Sequence, residues 1–348
     1  MSAGKNDFTD EKMIRGVRAF FLGALFVVLF TAISFAGNAT DDSFSITPKA
    51  SFLMISLPEY APIIIYDAGV STKRGTDTTE DGDMAALKYG LTLDWETPHT
   101  YNKYPVIFKA STYYSNMSNE QSQAIYQRSA SLAPAWVRVD GSGYRNFSWP
   151  SGQYITATTK REVEIFGAEL LLGLDEIPLG NDVTITPFFG YSTMYVDQNF
   201  TTFSRNYDYA PNALMNMQLD ESVSGFYNGV LGGARVKRAK GNFEWHGSAN
   251  VAAQYVIARY KGAQIIRQVG VSSNEYTHSD TTTKCSFQGK LETGATYRIS
   301  DWKFGASAGF EFNSAMPEIK TGGKDKPTSI GWKESLAGEV GLNLAYEF

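Results

Sequence analysis

One cysteine in 348 residues, Cys285, excludes an intramolecular disulfide framework and any metal site built on paired cysteines. Acidic residues outnumber basic ones, 36 to 31, and the formal net charge of -5 leaves no basic footprint for a nucleic-acid partner. No Walker loop, Rossmann fingerprint, HExxH or GxSxG element occurs, so neither a cofactor nor a metal is expected. Past Ile33 no apolar run approaches the length of a membrane-spanning helix. The mean hydropathy of -0.24 would ordinarily mean a soluble protein. That inference fails for a membrane barrel, which spreads its apolar residues by alternation and never gathers them into a run.

What is abundant points to strands. Aromatic residues make up 14% of the chain, with 20 Tyr and 22 Phe beside 32 Gly. At the N-terminus, Arg15 and Arg18 precede an apolar stretch from Ala19 to Ile33, and small residues follow at Ser34 and Ala36. This is the pattern of a cleaved export signal over residues 1–36, with Gly37 and Ala39 extending the cleavage window to residue 39. Residues 37–348 then form one domain.

Several segments of that domain alternate apolar and polar residues with period two. In Met84 to Trp95 the apolar side is Leu87, Tyr89, Leu91, Leu93 and Trp95, against Lys88, Thr92 and Asp94. Phe243 to Ile257 sets Phe243, Trp245, Val251 and Tyr255 against Glu244, His246, Asn250 and Gln254. Cys285 to Ile299, Trp302 to Phe312 and Leu336 to Phe348 repeat the arrangement. Less regular strands are expected near Val106 to Tyr114, Val163 to Leu174, Val183 to Tyr195 and Phe226 to Arg238, and one more between Phe44 and Thr72.

The connections alternate in length. "ETPHTYNKY", "DEIPLGN", "AKGN" and "SD" are short, whereas Ser115 to Arg161, Val196 to Ser222, Arg259 to Thr282 and Asn313 to Trp332 read as long polar loops. Short turns at one end and long loops at the other describe an all-β, antiparallel transmembrane barrel of ten strands. Twelve follow if Ala135 to Asp140 and Tyr154 to Lys160 make a further pair. Closure is compulsory in lipid, which offers an open sheet edge no hydrogen-bond partners.

The ending resembles the C-terminal recognition signature of Gram-negative outer-membrane barrels: Glu339, Gly341, Leu344, Tyr346 and a final Phe348. That resemblance covers the last strand. It implies outer-membrane localisation, lipid and lipopolysaccharide as surroundings, and the barrel assembly machinery as a partner that reads Gly341, Leu344, Tyr346 and Phe348. The strand layout is also similar to that of the omptins, outer-membrane proteases that set an Asp-His pair opposite an Asp pair at the outer rim. This chain departs from that set. Asp280 follows His278 by two positions instead of preceding it, Asp81 and Asp83 fall in the first outer loop, and the second holds only Glu120 and Asp140.

Glu275, His278 and Asp280 in "NEYTHSD" are the candidate catalytic group, since a carboxylate can hold and polarise a general base. The plainer account is a solvated loop histidine. Within the barrel, Glu244, His246, Lys290, Glu292, Arg298, Glu311 and Glu339 are expected to face the lumen, together with Lys88, Asp94, Lys109, Glu169, Arg235 and Lys303. Opposite charges interleaved this way can pair across a small barrel and fill much of it. The sequence is therefore compatible with a narrow pore for small solutes, a surface structural protein, an adhesin acting through its loops, or an omptin-like protease. It names no solute and no oligomeric state.

Overall fold

The computed structural model describes residues 43–67, 72–77, 82–126, 132–146, 154–174, 176–180, 182–206, 215–268, 273–323 and 325–347. In chain order the strands are β1 (Ser43–Ser56), β2 (Ile63–Asp67), β3 (Thr72–Asp77), β4 (Asp83–Tyr101), β5 (Tyr104–Tyr126), β6 (Leu132–Val137), β7 (Tyr144–Asn146) and β8 (Tyr154–Leu174). They continue with β9 (Ile177–Gly180), β10 (Val183–Asn206), β11 (Met215–Lys240), β12 (Phe243–Gln268), β13 (Asn274–Ile299), β14 (Trp302–Lys320) and β15 (Ser329–Glu347). Ten of these close one antiparallel barrel in the order β11-β12-β13-β14-β15-β1-β4-β5-β8-β10, with β10 returning to β11. The first and last strands meet along Ser56↔Leu336 to Ser45↔Glu347, so the ring has no open seam at the chain ends. Residues 1–36, where an export signal is expected, and Phe348 lie outside the described residues.

The outward face carries an apolar belt. Leu87, Leu172, Phe189, Phe287, Phe304 and Val340 are all exposed, and Val251 and Leu342 are each 70% exposed, which only lipid makes favourable for so many neighbouring apolar side chains. Trp245, Tyr297 and Trp302 edge this belt at the short-turn end, and the Trp302 ring meets Tyr346 edge-on at 4.8 Å. Two-residue turns serve that end: Asn102 and Lys103 take φ of 50° and 78° between the paired Tyr101 and Tyr104.

The expected long loops are mostly strand. β5 runs to Tyr126, β10 to Asn206 and β12 to Gln268, each well past the belt. The reason is a change of phase. In β11 the outward apolar residues Phe226 and Val230 give way above the belt to outward Asp220, Ser222 and Ser224, while Met217, Leu219, Val223 and Tyr227 turn apolar inward. Once a strand leaves lipid, its outer face meets water and its inner face must supply the core, so the alternation reverses and reads as irregular.

The twelve-strand alternative does not form. Tyr154 to Lys160 is the outer end of β8, paired with both β5 and β10, whereas β6 joins β2 in a separate sheet ordered β3-β2-β6-β7. That small sheet packs inside the wall: Ile63, Trp136 and Val139 form one cluster with Ile155, Ala157, Met215, Met217, Leu219 and Ile266. The β14–β15 hairpin also bends inward past a bulge between Asn313 and Met316. There the Tyr227 hydroxyl donates to Ala315 O at 2.9 Å, and the Gln198 amide donates to Pro317 O at 2.9 Å. With its departure the β13–β14 ladder ends at Gln288, and the β4–β5 ladder ends at Ser115. Beyond these points the ladders of the described residues continue as a wall of β5, β8, β10, β11, β12 and β13.

Candidate functional site

The interior is layered. At the outer end lies the Trp136 cluster. Beneath it Tyr60 stacks on Phe200 at 4.2 Å, and the Tyr60 and Tyr260 hydroxyls both donate to the Glu221 carboxylate, the latter at 2.5 Å. Glu221 stands above the lipid belt. Burial there pushes its carboxyl above the ordinary range, and the two tyrosine hydroxyls partly oppose that rise. Arg161 has no exposed surface; its guanidinium donates to Gln198 Oε1 at 2.6 Å and lies 5.1 Å over the Phe200 ring.

Next comes an apolar layer of Leu53, Ile55, Met84, Met117, Val163, Ile165, Met194, Val196, Tyr227, Val256 and Met316. A gap of about 30 Å³ at its lower edge is bounded by Lys88, Tyr113, Glu311 and Asn313. Below that gap the barrel holds a cavity of about 610 Å³ that reaches the short-turn rim at Glu96, Glu176 and Ala345.

This cavity gathers most of the charges expected in the lumen. Glu244, His246, Lys290, Glu292 and Glu339 line it, as do Lys88, Asp94, Lys109, Glu169, Arg235 and Lys303. Lys49 bridges Glu292 at 3.2 Å and Glu339 at 2.9 Å, and Lys88 meets the other oxygen of Glu339 at 2.7 Å. Lys109 pairs with Asp94 at 3.3 Å, and Lys237 with Glu176 at 2.6 Å and Glu244 at 3.2 Å. Lys290 approaches Glu292 at 3.8 Å. Interleaving opposite charges on strands that adjoin is what allows these groups to face an enclosed space together. Glu311 stands higher, accepting from Gln288 at 2.7 Å, and Arg298 is exposed at the rim, where its Nε donates to Ser300 O at 3.3 Å.

His246 is 5% exposed, and its Nδ1 has no hydrogen-bond partner among the described residues. Its opposite neighbour on β13 is Gly294, where a Cβ would come 2.7 Å from His246 Nε2, so only glycine leaves room for the ring. Arg235, in register with Thr186 on one side and Ser248 on the other, likewise keeps its buried Nε without an acceptor.

The proposed catalytic residues are strand residues of β13, not loop residues. His278 lies 6.1 Å from the Tyr260 ring, and Asp280 accepts from the backbone of Thr281 at 2.8 Å and of Ile330 at 3.3 Å. Glu275 is on the opposite parity from both and is exposed, and no hydrogen bond joins the three among the described residues. His99 is exposed at the short-turn end. Of the C-terminal residues, Gly341 lies opposite Ser51 of β1, Leu344 opposite Phe304, and Tyr346 beside Trp302. Trp136, Ile63, Arg161 and the Tyr60–Glu221–Tyr260 group escaped sequence reading; the apolar "APIII" and "APAWV" stretches were the available signals.

A closed antiparallel barrel with an apolar belt outside and paired charges inside is built to span an outer membrane. The protein is an outer-membrane β-barrel. Comparison with known families and with curated proteins finds no match. Among solved structures the chain is similar to the outer membrane protease OmpT from Escherichia coli, at 9% identity and a TM-score of 0.45, over 88% of this chain and 97% of that one. A major outer membrane protein from Thermus thermophilus aligns at 9% identity and a TM-score of 0.29, over 88% and 99% of the two chains. The transport unit of the autotransporter AIDA-I from Escherichia coli aligns at 8% identity and a TM-score of 0.28, over 89% and 91%. Likeness at this level says nothing of activity.

Proposed function

We propose that the protein is a non-conducting outer-membrane barrel whose projecting wall acts at the cell surface as a structural or contact element. The observation that carries this reading is the filled interior: above the short-turn cavity of about 610 Å³ lie a gap of about 30 Å³, the apolar layer, the Arg161–Gln198 and Tyr60–Glu221–Tyr260 groups and the Trp136 cluster. That smaller gap has room for a water or two and no continuous solute path. Long strands rising beyond the lipid, sealed inside by Trp136 and the apolar layer, form a rigid stalk suited to presenting a surface.

On this reading the export signal at residues 1–36 delivers the chain to the periplasm. The assembly machinery then reads its last strand, and lipopolysaccharide surrounds the outer half of the belt. The test is electrical. Purified protein in planar bilayers is expected to give no stepwise currents, and steady single-channel steps from the unaltered protein would replace this reading with a narrow pore. The protease reading, which the dispersed Glu275, His278 and Asp280 do not favour, requires peptide cleavage by folded protein in lipopolysaccharide.

A further inference from the structure

We propose that the short-turn cavity is a binding site, open to the periplasm, for a small oxyanion carrying carboxylate or phosphate, with Arg235 as its anchor. Short turns of outer-membrane barrels face the periplasm, so a cavity reaching Glu96, Glu176 and Ala345 opens to that side. Its volume of about 610 Å³ falls in the range of small-molecule sites.

The charge pattern selects the ligand class. Lys49, Lys88, Lys109, Lys237 and Lys290 each have a carboxylate within ion-pair distance. Arg235 lines the same cavity with no ion pair and no hydrogen bond among the described residues, and its Nε is buried. A guanidinium presents only donors, in a planar fork that matches the two oxygens of a carboxylate or phosphate. Leaving a buried donor unmade is costly, so an arginine in this condition is poised for an acceptor from outside the chain.

A second, independent group points the same way. His246 faces the cavity from the neighbouring strand, 5% exposed and with Nδ1 unpartnered. In the ladder it stands opposite Lys237, one inward position from Arg235, while the Thr186 and Ser248 hydroxyls flank Arg235 in register. A fork, an imidazole and two hydroxyls on three adjoining strands make a compact polar surface. Lys237, the next inward residue of the same strand, is already paired with Glu176 and Glu244, so the ligand need not displace those carboxylates. The inference does not depend on whether the barrel conducts.

The experiment uses folded mature protein in detergent micelles, titrated calorimetrically with inorganic phosphate and, separately, with succinate. Saturable one-to-one binding of at least one anion is expected, weakened at least about tenfold in Arg235→Gln because a charge-assisted hydrogen-bond pair is lost. Arg238→Gln, at an exposed position on the outward parity of the same strand, should bind as the unaltered protein does. Heat-modifiable migration verifies folding of each variant. Should Arg235→Gln not fold, Arg235→Lys keeps the charge and loses the fork, and a several-fold weakening is expected. Absence of saturable binding of both anions to the folded unaltered protein overturns the proposal, as does undiminished affinity in the Arg235 variant that folds.

Discussion

Trp136 donates its indole N–H to the Ser204 hydroxyl at 3.1 Å, and neither side chain has exposed surface. The pair fastens the small inner sheet to β10, and Gln264 of β12 fastens it again by donating to Val137 O at 2.9 Å. Ser204 in turn donates to Thr156 O at 3.0 Å, so the plug is tied into the wall's own ladder partners.

Replacing Trp136 with Ala should therefore loosen the outer closure. Loss of a fully buried indole costs about 3–5 kcal/mol when the space does not collapse. The expected outcome is a folded barrel with brief, irregular current bursts in planar bilayers, where the unaltered protein is silent. A Trp136→Ala barrel as silent as the parent would show that the layer from Leu53 to Met316 seals the interior alone.

Glu221 gives the outer layers a pH dependence with a definite sign. Its folded pKa is raised, chiefly by burial. A carboxyl raised on folding contributes stability that is complete below its unfolded value, about 4.3, and is lost as the pH climbs through the folded value. Hydrogen exchange near Tyr60 and Tyr260 should thus quicken from acid to neutral pH. Glu221→Gln keeps an acceptor and removes the titration, so its exchange should change less across the same window. Equal pH profiles for the two proteins would falsify this account.

The chain end carries a separate expectation. If Leu344, Tyr346 and Phe348 are read during assembly, deleting Phe348 should reduce the yield of heat-modifiable barrel while synthesis and export continue. Mass spectrometry of the mature protein should place its first residue between Gly37 and Thr40. An intact Ala19 to Ile33 stretch in inner-membrane fractions argues against a cleaved signal.

Legibility in the sequence followed the lipid. Phe243 to Ile257 alternates visibly because lipid outside and charge inside enforce opposite chemistries on successive residues. Above the belt, Met215 to Val223 keeps its strand but exchanges its faces, and a reader searching for outward apolar residues sees a polar loop. The lumen charges Glu244, Glu292 and Glu339 were readable from parity alone. The plug was not, because Ile63 to Asp67 and Leu132 to Val137 pair across a long stretch of sequence and belong to no barrel strand. Nor could parity separate Arg235, whose Nε has no acceptor among the described residues, from Lys237, which has two carboxylates.

The face assignment that supports all of this can be tested on one strand. Val251 is 70% exposed on the outward side of β12, and its neighbour Asn250 lines the cavity. A shift of register by one residue would exchange them. Arg at Val251 should cost about 2–4 kcal/mol if the position lies near the bilayer midplane. Arg at Asn250 enters a polar space lined by Glu169, Glu244 and Glu292, and should cost less. Both variants can be unfolded by denaturant from the same lipid, which cancels most systematic error in the difference. Greater damage from Asn250→Arg than from Val251→Arg would mean that the two faces of β12 are reversed, and the placing of Glu244 and His246 in the lumen would lose its basis.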